Sequence, residues 1–232
     1  MSPSPKAADT GQDLVVDRRT RNRERRRSAV YRAAVELFIE QGYENTTMEQ
    51  VAQRADVARA TVFNHFPRKT AFIDEWTMLR RHRAADAVAR EDIKGWPLDR
   101  ILRRYVSEMA RLSEDTREET VAMMTAAVHV TDLLGHPALA DELSSYVRKA
   151  QKEGAVPKKL NPAQAGLLTS TAYFAVLTQW ISEEPAPFPL EQELLSMLDI
   201  VLFGVLASDD AIRLPARTAA PRPSRARKAS AS

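Results

Sequence analysis

Cysteine is absent from the 232 residues, which excludes disulfides, thiolate metal sites and a cysteine nucleophile. Glycine occurs only 7 times and aromatics make up 6% of the chain, against 28% charged residues. Long stretches therefore run without a turn former, which disfavours a sheet of short strands and favours an all-α fold. Histidine is limited to positions 65, 82, 129 and 136; there is no His-Glu-x-x-His pair, no Gly-rich phosphate loop and no serine or cysteine elbow. No enzyme activity, catalytic residue, metal or other cofactor is expected, and His129, set in an apolar helix, reads as a core residue. No signal peptide is read ahead of the fold, and a cytoplasmic location is expected.

Charge is absent from Leu160–Ser182, a stretch of 23 residues long enough to span a bilayer. Asn161, Gln164, Thr169, Ser170, Thr171, Thr178, Gln179 and Ser182 make it too polar for that role, so no membrane partner is expected. Acidic residues are missing from 213–232, which carries six Lys/Arg, while residues 1–27 carry eight Lys/Arg against four Asp/Glu. The ends thus contribute +10 to a net charge of +3, and the 185 residues between them sum to −7. An acidic body with basic ends does not coat DNA over its whole surface; nucleic-acid contact should be local, through one small module and the tails.

What is present is 44% apolar and strongly periodic. Val30, Ala33, Ala34, Leu37 and Phe38 have the spacing of an amphipathic helix that Gly42 would cap in the left-handed conformation. Thr47 with Gln50, or Thr46 with Glu49, has capping-box spacing and opens a second helix that buries Met48, Val51, Ala52 and Ala55. Asp56 and Val57 interrupt the pattern, and a short third helix over Arg59–His65 turns Val62 and Phe66 inward. Two short helices separated by about three residues have helix-turn-helix dimensions.

Pro67 ends that unit. Further helices follow: one from about Thr70 with Phe72, Trp76 and Leu79 on one face, one carrying Leu98 to Leu112, and one over Val121–Val130 that is apolar on nearly every side and therefore read as buried. Beyond these, Gly135-x-Pro137 and Gly154 with Asn161-Pro162 bracket a helix over about 138–152. The uncharged stretch and a last helix with Leu194, Leu198, Val201 and Val205 complete about nine helices. The chain divides into a disordered tail at 1–17, a helix-turn-helix domain with a basic arm at 18–69, a helical regulatory and dimerisation domain at 70–212, and a disordered basic tail at 213–232.

The residues of the first unit also carry a resemblance. Ala33-Ala34, Leu37-Phe38, Gly42-Tyr43, Thr46-Thr47, Val51-Ala52, Ala55, Val57, Ala60-Thr61, Phe63-Asn64-His65-Phe66 and Lys69 resemble the N-terminal domain of the tetracycline-repressor (TetR) family of transcriptional regulators. The sequence departs from the family pattern at Asp56, where glycine is usual in the turn, at Phe63, where tyrosine is commonest, and at Thr70, where an acid usually follows. Asp tolerates the left-handed conformation better than most residues, so the turn remains feasible.

A short helix presented by a tight turn can lie in the major groove with its side chains against base edges. On that basis Arg59 reads guanine O6 and N7, Asn64 an adenine edge, and Thr61 a thymine methyl or a phosphate, while Ala60 sits close to the bases. Thr47, Phe63, His65 and Lys69 complete the expected DNA contacts, the last two on the backbone as the resemblance implies. The Arg18–Arg27 tract is a candidate arm along a groove or a product of a composition with far more Arg than Lys.

For the second domain, the resemblance implies a homodimer and a small-molecule effector. Phe174, Leu198, Val201 and Val205 are candidate interface residues, because apolar area left on two terminal helices needs a partner. Trp76, Tyr105, Met109, Met123, Met124, Tyr173 and Gln179 are candidate pocket residues, combining adaptable apolar surface with polar tips. The expected partners are a double-stranded DNA operator, a second copy of the chain and a small molecule that releases a repressor from DNA. A sequence-tolerant architectural DNA binder, suggested by the basic tails, stays open as the alternative reading.

Overall fold

The computed structural model describes residues 10–91, 93, 95–130 and 138–204, the side chains of 10–17 and 19 excepted. Val205, His136, the Gly135-x-Pro137 boundary and the 213–232 tail lie outside the described residues. Nine helices form among those described: α1 (Thr10–Gln41), α2 (Met48–Arg54), α3 (Arg59–His65), α4 (Ala71–Ala89), α5 (Leu98–Asp115), α6 (Arg117–Val130), α7 (Ala138–Lys152), α8 (Pro162–Trp180) and α9 (Leu190–Phe203). The fold is all-α, as composition and periodicity predict. α1 starts at Thr10, inside the segment read as an irregular tail, because after Gly11 nothing in the arginine-rich run breaks a helix.

The first unit is built as the sequence reading anticipates. Gly42 takes φ 83° beyond α1, and its N–H donates to Phe38 O at 3.1 Å. Thr47 is the cap of α2: its hydroxyl accepts from Gln50 N at 3.2 Å while the Gln50 side chain accepts from Thr47 N at 2.8 Å. The competing Thr46 is buried instead, donating to Gly42 O at 2.9 Å. Asp56, at φ 52°, makes the left-handed turn that presents α3. Val62 and Phe66 are fully buried, and Phe66 stacks on Phe72 with ring centres 4.3 Å apart. Phe72 also meets Phe38 edge-on, so the first turn of α4 packs as part of this unit.

Helices α4 to α9 form the larger body. α5 turns Ile101, Leu102, Tyr105, Val106, Met109 and Leu112 inward and packs against α4, α7 and α9. α7 and α8 are the most intimate pair, and α8 starts on an Asn161 cap with Pro162 at its first position. α6 joins the two units by packing on α1 and α4. It is not buried all round, contrary to the expectation from its composition: Val128 is 48% exposed, and His129 lies at the surface with Nδ1 2.7 Å from Thr125 O rather than in a core. His129, with Val121, Ala122 and Thr125, borders an open groove of about 930 Å³ between α6 and the end of α1 with the loop after it. None of the described helices is long and apolar enough to cross a membrane.

Candidate nucleic-acid interface and regulatory core

With Val62 and Phe66 anchoring one side of α3, the opposite side is committed to solvent: Arg59, Ala60, Phe63 and Asn64 are exposed, with Thr61 and His65 partly covered at the margins. Phe63 stands out as a large apolar side chain left 37% exposed. The Arg59 guanidinium lies 5.3 Å from the centre of its ring and pairs with Glu49 of α2 at 2.7 Å. Both partners of that pair are more than half exposed, so it steers the guanidinium and adds about 0–1 kcal/mol at most. The structure thus brings Arg59, Ala60, Thr61, Phe63, Asn64 and His65 onto one helix, with Thr47 at the exposed start of α2.

Two basic residues have partners that spacing did not reveal. Lys69 does not project outward: its ammonium donates to Tyr43 O at 2.7 Å and Thr46 O at 3.2 Å, and lies 4.1 Å from the Tyr43 ring centre. It ties the loop after α1 to the segment that follows α3. Lys69→Ala is therefore expected to destabilise the protein in urea unfolding by about 1–3 kcal/mol, since buried carbonyls lose a charged donor. A purely phosphate-binding lysine would leave stability unchanged and make the salt dependence of DNA binding shallower by about one unit.

Arg27, the last residue of the arginine tract, likewise points inward. Its guanidinium donates to the His65 carbonyl at 2.8 Å and forks onto Glu75 of α4 at 3.1 and 2.6 Å, 4.4 Å from the Phe66 ring centre. It joins the end of α3 to α4, a role that nothing in a run of arginines distinguishes. Burial, followed by the nearby Arg27, Arg23 and Arg26 charges, holds the His65 pKa below the usual imidazole range.

In the larger body, Tyr105, Met109 and Tyr173 meet around an internal cavity bordered by α5, α7, α8 and α9, with Leu143, Thr169, Leu194 and Leu198 among the remaining walls. Its free space is about 20 Å³, the room of about one water molecule. Met123 and Met124 are fully buried but line none of the described cavities, and Trp76 packs beneath Arg80. Gln179 is exposed on α8, turned away from the interior.

Of the interface candidates, Leu198 is 3% exposed and borders the same cavity, and Val201 lines it too, so Leu198 belongs to the protomer core. The inward face of α9 had the more regular apolar spacing. The outward face carries Ile200 and Phe203, each 46% exposed, and α8 adds Leu167 and Leu168 at 41% and 57%. Phe174 is half-buried against Tyr173.

Among the described residues no group of three metal-ligating side chains occurs. Residues 30–76 match the model of the tetR family of bacterial regulatory proteins. Over 68 residues the chain is 41% identical to the HTH-type transcriptional regulator TcmR of Streptomyces glaucescens, a match covering 29% of this chain and 28% of TcmR. UidR of Escherichia coli, also an HTH-type transcriptional regulator, is 25% identical over 174 residues, covering 69% of this chain and 84% of UidR. The fold is similar to Thermus thermophilus FadR, a TetR-family repressor solved with lauroyl-CoA (TM-score 0.64, 23% identity, 79% of this chain and 96% of FadR). It is also similar to SmeT, the repressor of a Stenotrophomonas maltophilia multidrug efflux pump (TM-score 0.61, 20% identity, 85% of this chain and 97% of SmeT). With the family's motif seated on the turn and on α3 as its spacing requires, residues 30–76 carry the sequence pattern and the local fold of the tetR family of bacterial regulatory proteins.

Proposed function

We propose that the protein is a sequence-specific DNA-binding repressor that acts as a homodimer and leaves its operator when a small molecule binds the larger body. The observation that carries the reading is the face of α3, where Arg59, Phe63 and Asn64 stand clear of the protein on a helix pinned from behind by Val62 and Phe66. In this reading Arg59 and Asn64 contact base edges, Thr61 and Ala60 approach the groove floor, and Thr47, Phe63 and His65 meet the sugar-phosphate backbone. Residues 18–69 are the reading head and 70–212 the regulatory and dimerising body.

Effector control is supported by the buried cavity around Tyr105, Met109 and Tyr173 and by the lauroyl-CoA complex of the similarly folded FadR. The cavity as it stands is too small for a metabolite, so the effector must favour a more open body, and by linkage that preference is what loosens DNA. The connection from body to head is a physical one: α4 carries Glu75, which holds Arg27 and through it the His65 carbonyl at the end of α3.

Selection of the protein's binding sites from a random duplex library tests the reading. Enrichment of a two-fold symmetric sequence is expected, because two reading heads related by a dyad contact two half-sites. Recovery of duplexes without a common sequence would instead establish the architectural, sequence-tolerant binder.

A further inference from the structure

Among the described residues, four side-chain groups in the body are buried without a hydrogen-bond acceptor: Trp76 Nε1, Arg80 Nε, Arg81 Nε and the Tyr105 hydroxyl. All carry a proton to donate, so what they lack in common is an acceptor. Arg81 is already neutralised by Glu142 at 3.0 Å. Arg80 is not: it is 6% exposed, and no described carboxylate lies within ion-pair distance. Its guanidinium lies 4.5 Å from the Trp76 ring centre and donates to three neutral hydroxyls, those of Ser113 at 3.3 Å, Thr116 at 2.6 Å and Thr120 at 2.9 Å. Glu119 acts on it only through space and accepts a hydrogen bond from Tyr31 at 3.3 Å.

An arginine does not shed its proton on burial, so an unneutralised cation here costs stability that hydroxyl dipoles offset only in part. The hydroxyls do not need it, either. Ser113 already donates to Met109 O, Thr116 to Leu112 O and Thr120 to Thr116 O. The placement has a consequence for ligand chemistry, because Tyr173, which borders the cavity, lies close enough to the guanidinium to feel its charge.

We propose that the effector is an organic anion whose carboxylate pairs with Arg80 and whose apolar body expands the cavity beside Tyr105, Met109 and Tyr173. This rests on the reading of the body as an effector-binding domain. Methionine on the cavity wall gives space more readily than branched side chains do, which suits a chamber that opens on binding. The Tyr105 hydroxyl, unpaired and fully buried beside the cavity, supplies a second donor.

Thermal unfolding without DNA tests the assignment, with octanoate as the anionic probe and octanamide as its uncharged counterpart, each at millimolar concentration. Octanoate is expected to raise the wild-type Tm by about 2–4 °C and octanamide to leave it unchanged. Arg80→Met is expected to melt above the wild type, because the uncompensated charge is gone, and to show no octanoate shift. Arg80→Gln, which keeps donors without charge, is expected to show no octanoate shift either. An absent octanoate shift, an equal shift with octanamide, a shift retained without Arg80, or a lower Tm for Arg80→Met overturns the proposal; the last makes Arg80 a strut between α4 and α5. Wild-type protein that selects a common duplex sequence yet gives a negative melting result separates failure here from failure of the DNA-binding reading.

Discussion

Replacing Gly166 with alanine is expected to destabilise the protein, and with valine to prevent the folded state from accumulating. In the middle of an exposed helix the alanine change would stabilise by about 1 kcal/mol, because glycine has the greater backbone freedom to lose. At Gly166 the sign reverses. A methyl group would overlap the Ala140 carbonyl oxygen and the Ser144 hydroxyl of α7, with the Ser144 backbone nitrogen at 2.9 Å. Two of these three atoms are helix backbone, and the Ser144 hydroxyl is engaged with Ala140 O at 2.6 Å, so no side chain can simply swing aside. α7 and α8 would have to separate along their whole contact. Overpacking costs about 1–3 kcal/mol, and each lost kcal/mol lowers Tm by about 2–4 °C in a protein of this size. Calorimetry of Gly166→Ala against wild type checks the sign, and soluble yield with circular dichroism checks Gly166→Val. A Tm above wild type for the alanine variant would mean that the helices are not in contact there.

Leu168→Asp is expected to separate the dimer without unfolding the protomer. At 57% exposure Leu168 is the most open of the large apolar side chains among the described residues, and Leu167, Ile200 and Phe203 add further exposed apolar area on α8 and α9. A charge there is solvated in a monomer but buried in a dimer, so the cost falls on association alone. Light scattering should report a dimer for the wild type and a monomer for the variant at micromolar concentration, with unchanged helix content. Loss of the second head should weaken operator binding by about 10²–10⁴-fold, the advantage of making the second half-site contact intramolecular. A Leu198→Asp protein, by contrast, should fail to fold, since Leu198 lies in the core.

These two cases mark where sequence reasoning reached and where it stopped. The reading head was legible because its signals are local: a glycine after an apolar helix, a Thr47-x-x-Gln50 box, a residue that tolerates positive φ, and the inward pair Val62 and Phe66 one turn apart. Each acts within a few residues, and the structure realises each of them. The assignments that failed depend on what a helix faces. Apolar spacing finds the buried side of α9 but cannot say whether the neighbour is the same protomer or another: Leu198, an interface candidate by spacing, is buried within the protomer, and the exposed apolar residues of α9 are Ile200 and Phe203. Val121–Val130 was read as buried on all sides for the same reason, although a groove opens along it. Lys69 and Arg27 were beyond reach because their partners lie 23 or more residues away along the chain. Gly166 gave no signal at all, since a glycine among small residues looks the same whether or not another backbone touches it.

The central claim is that α3 reads base sequence, and it is tested most directly by measuring Arg59→Ala and wild type on two duplexes, one selected by the wild-type protein and one of random sequence, across a salt series. Because Arg59 is exposed and held by Glu49 and the ring of Phe63, its removal should leave Tm unchanged. The account predicts a loss of about 1–3 kcal/mol on the selected duplex, or roughly 5- to 150-fold, with a much smaller loss on random DNA, since a bidentate base contact disappears. Equal losses on both duplexes, at every salt concentration, would reduce Arg59 to a phosphate contact and contradict the assignment of α3 as the sequence reader.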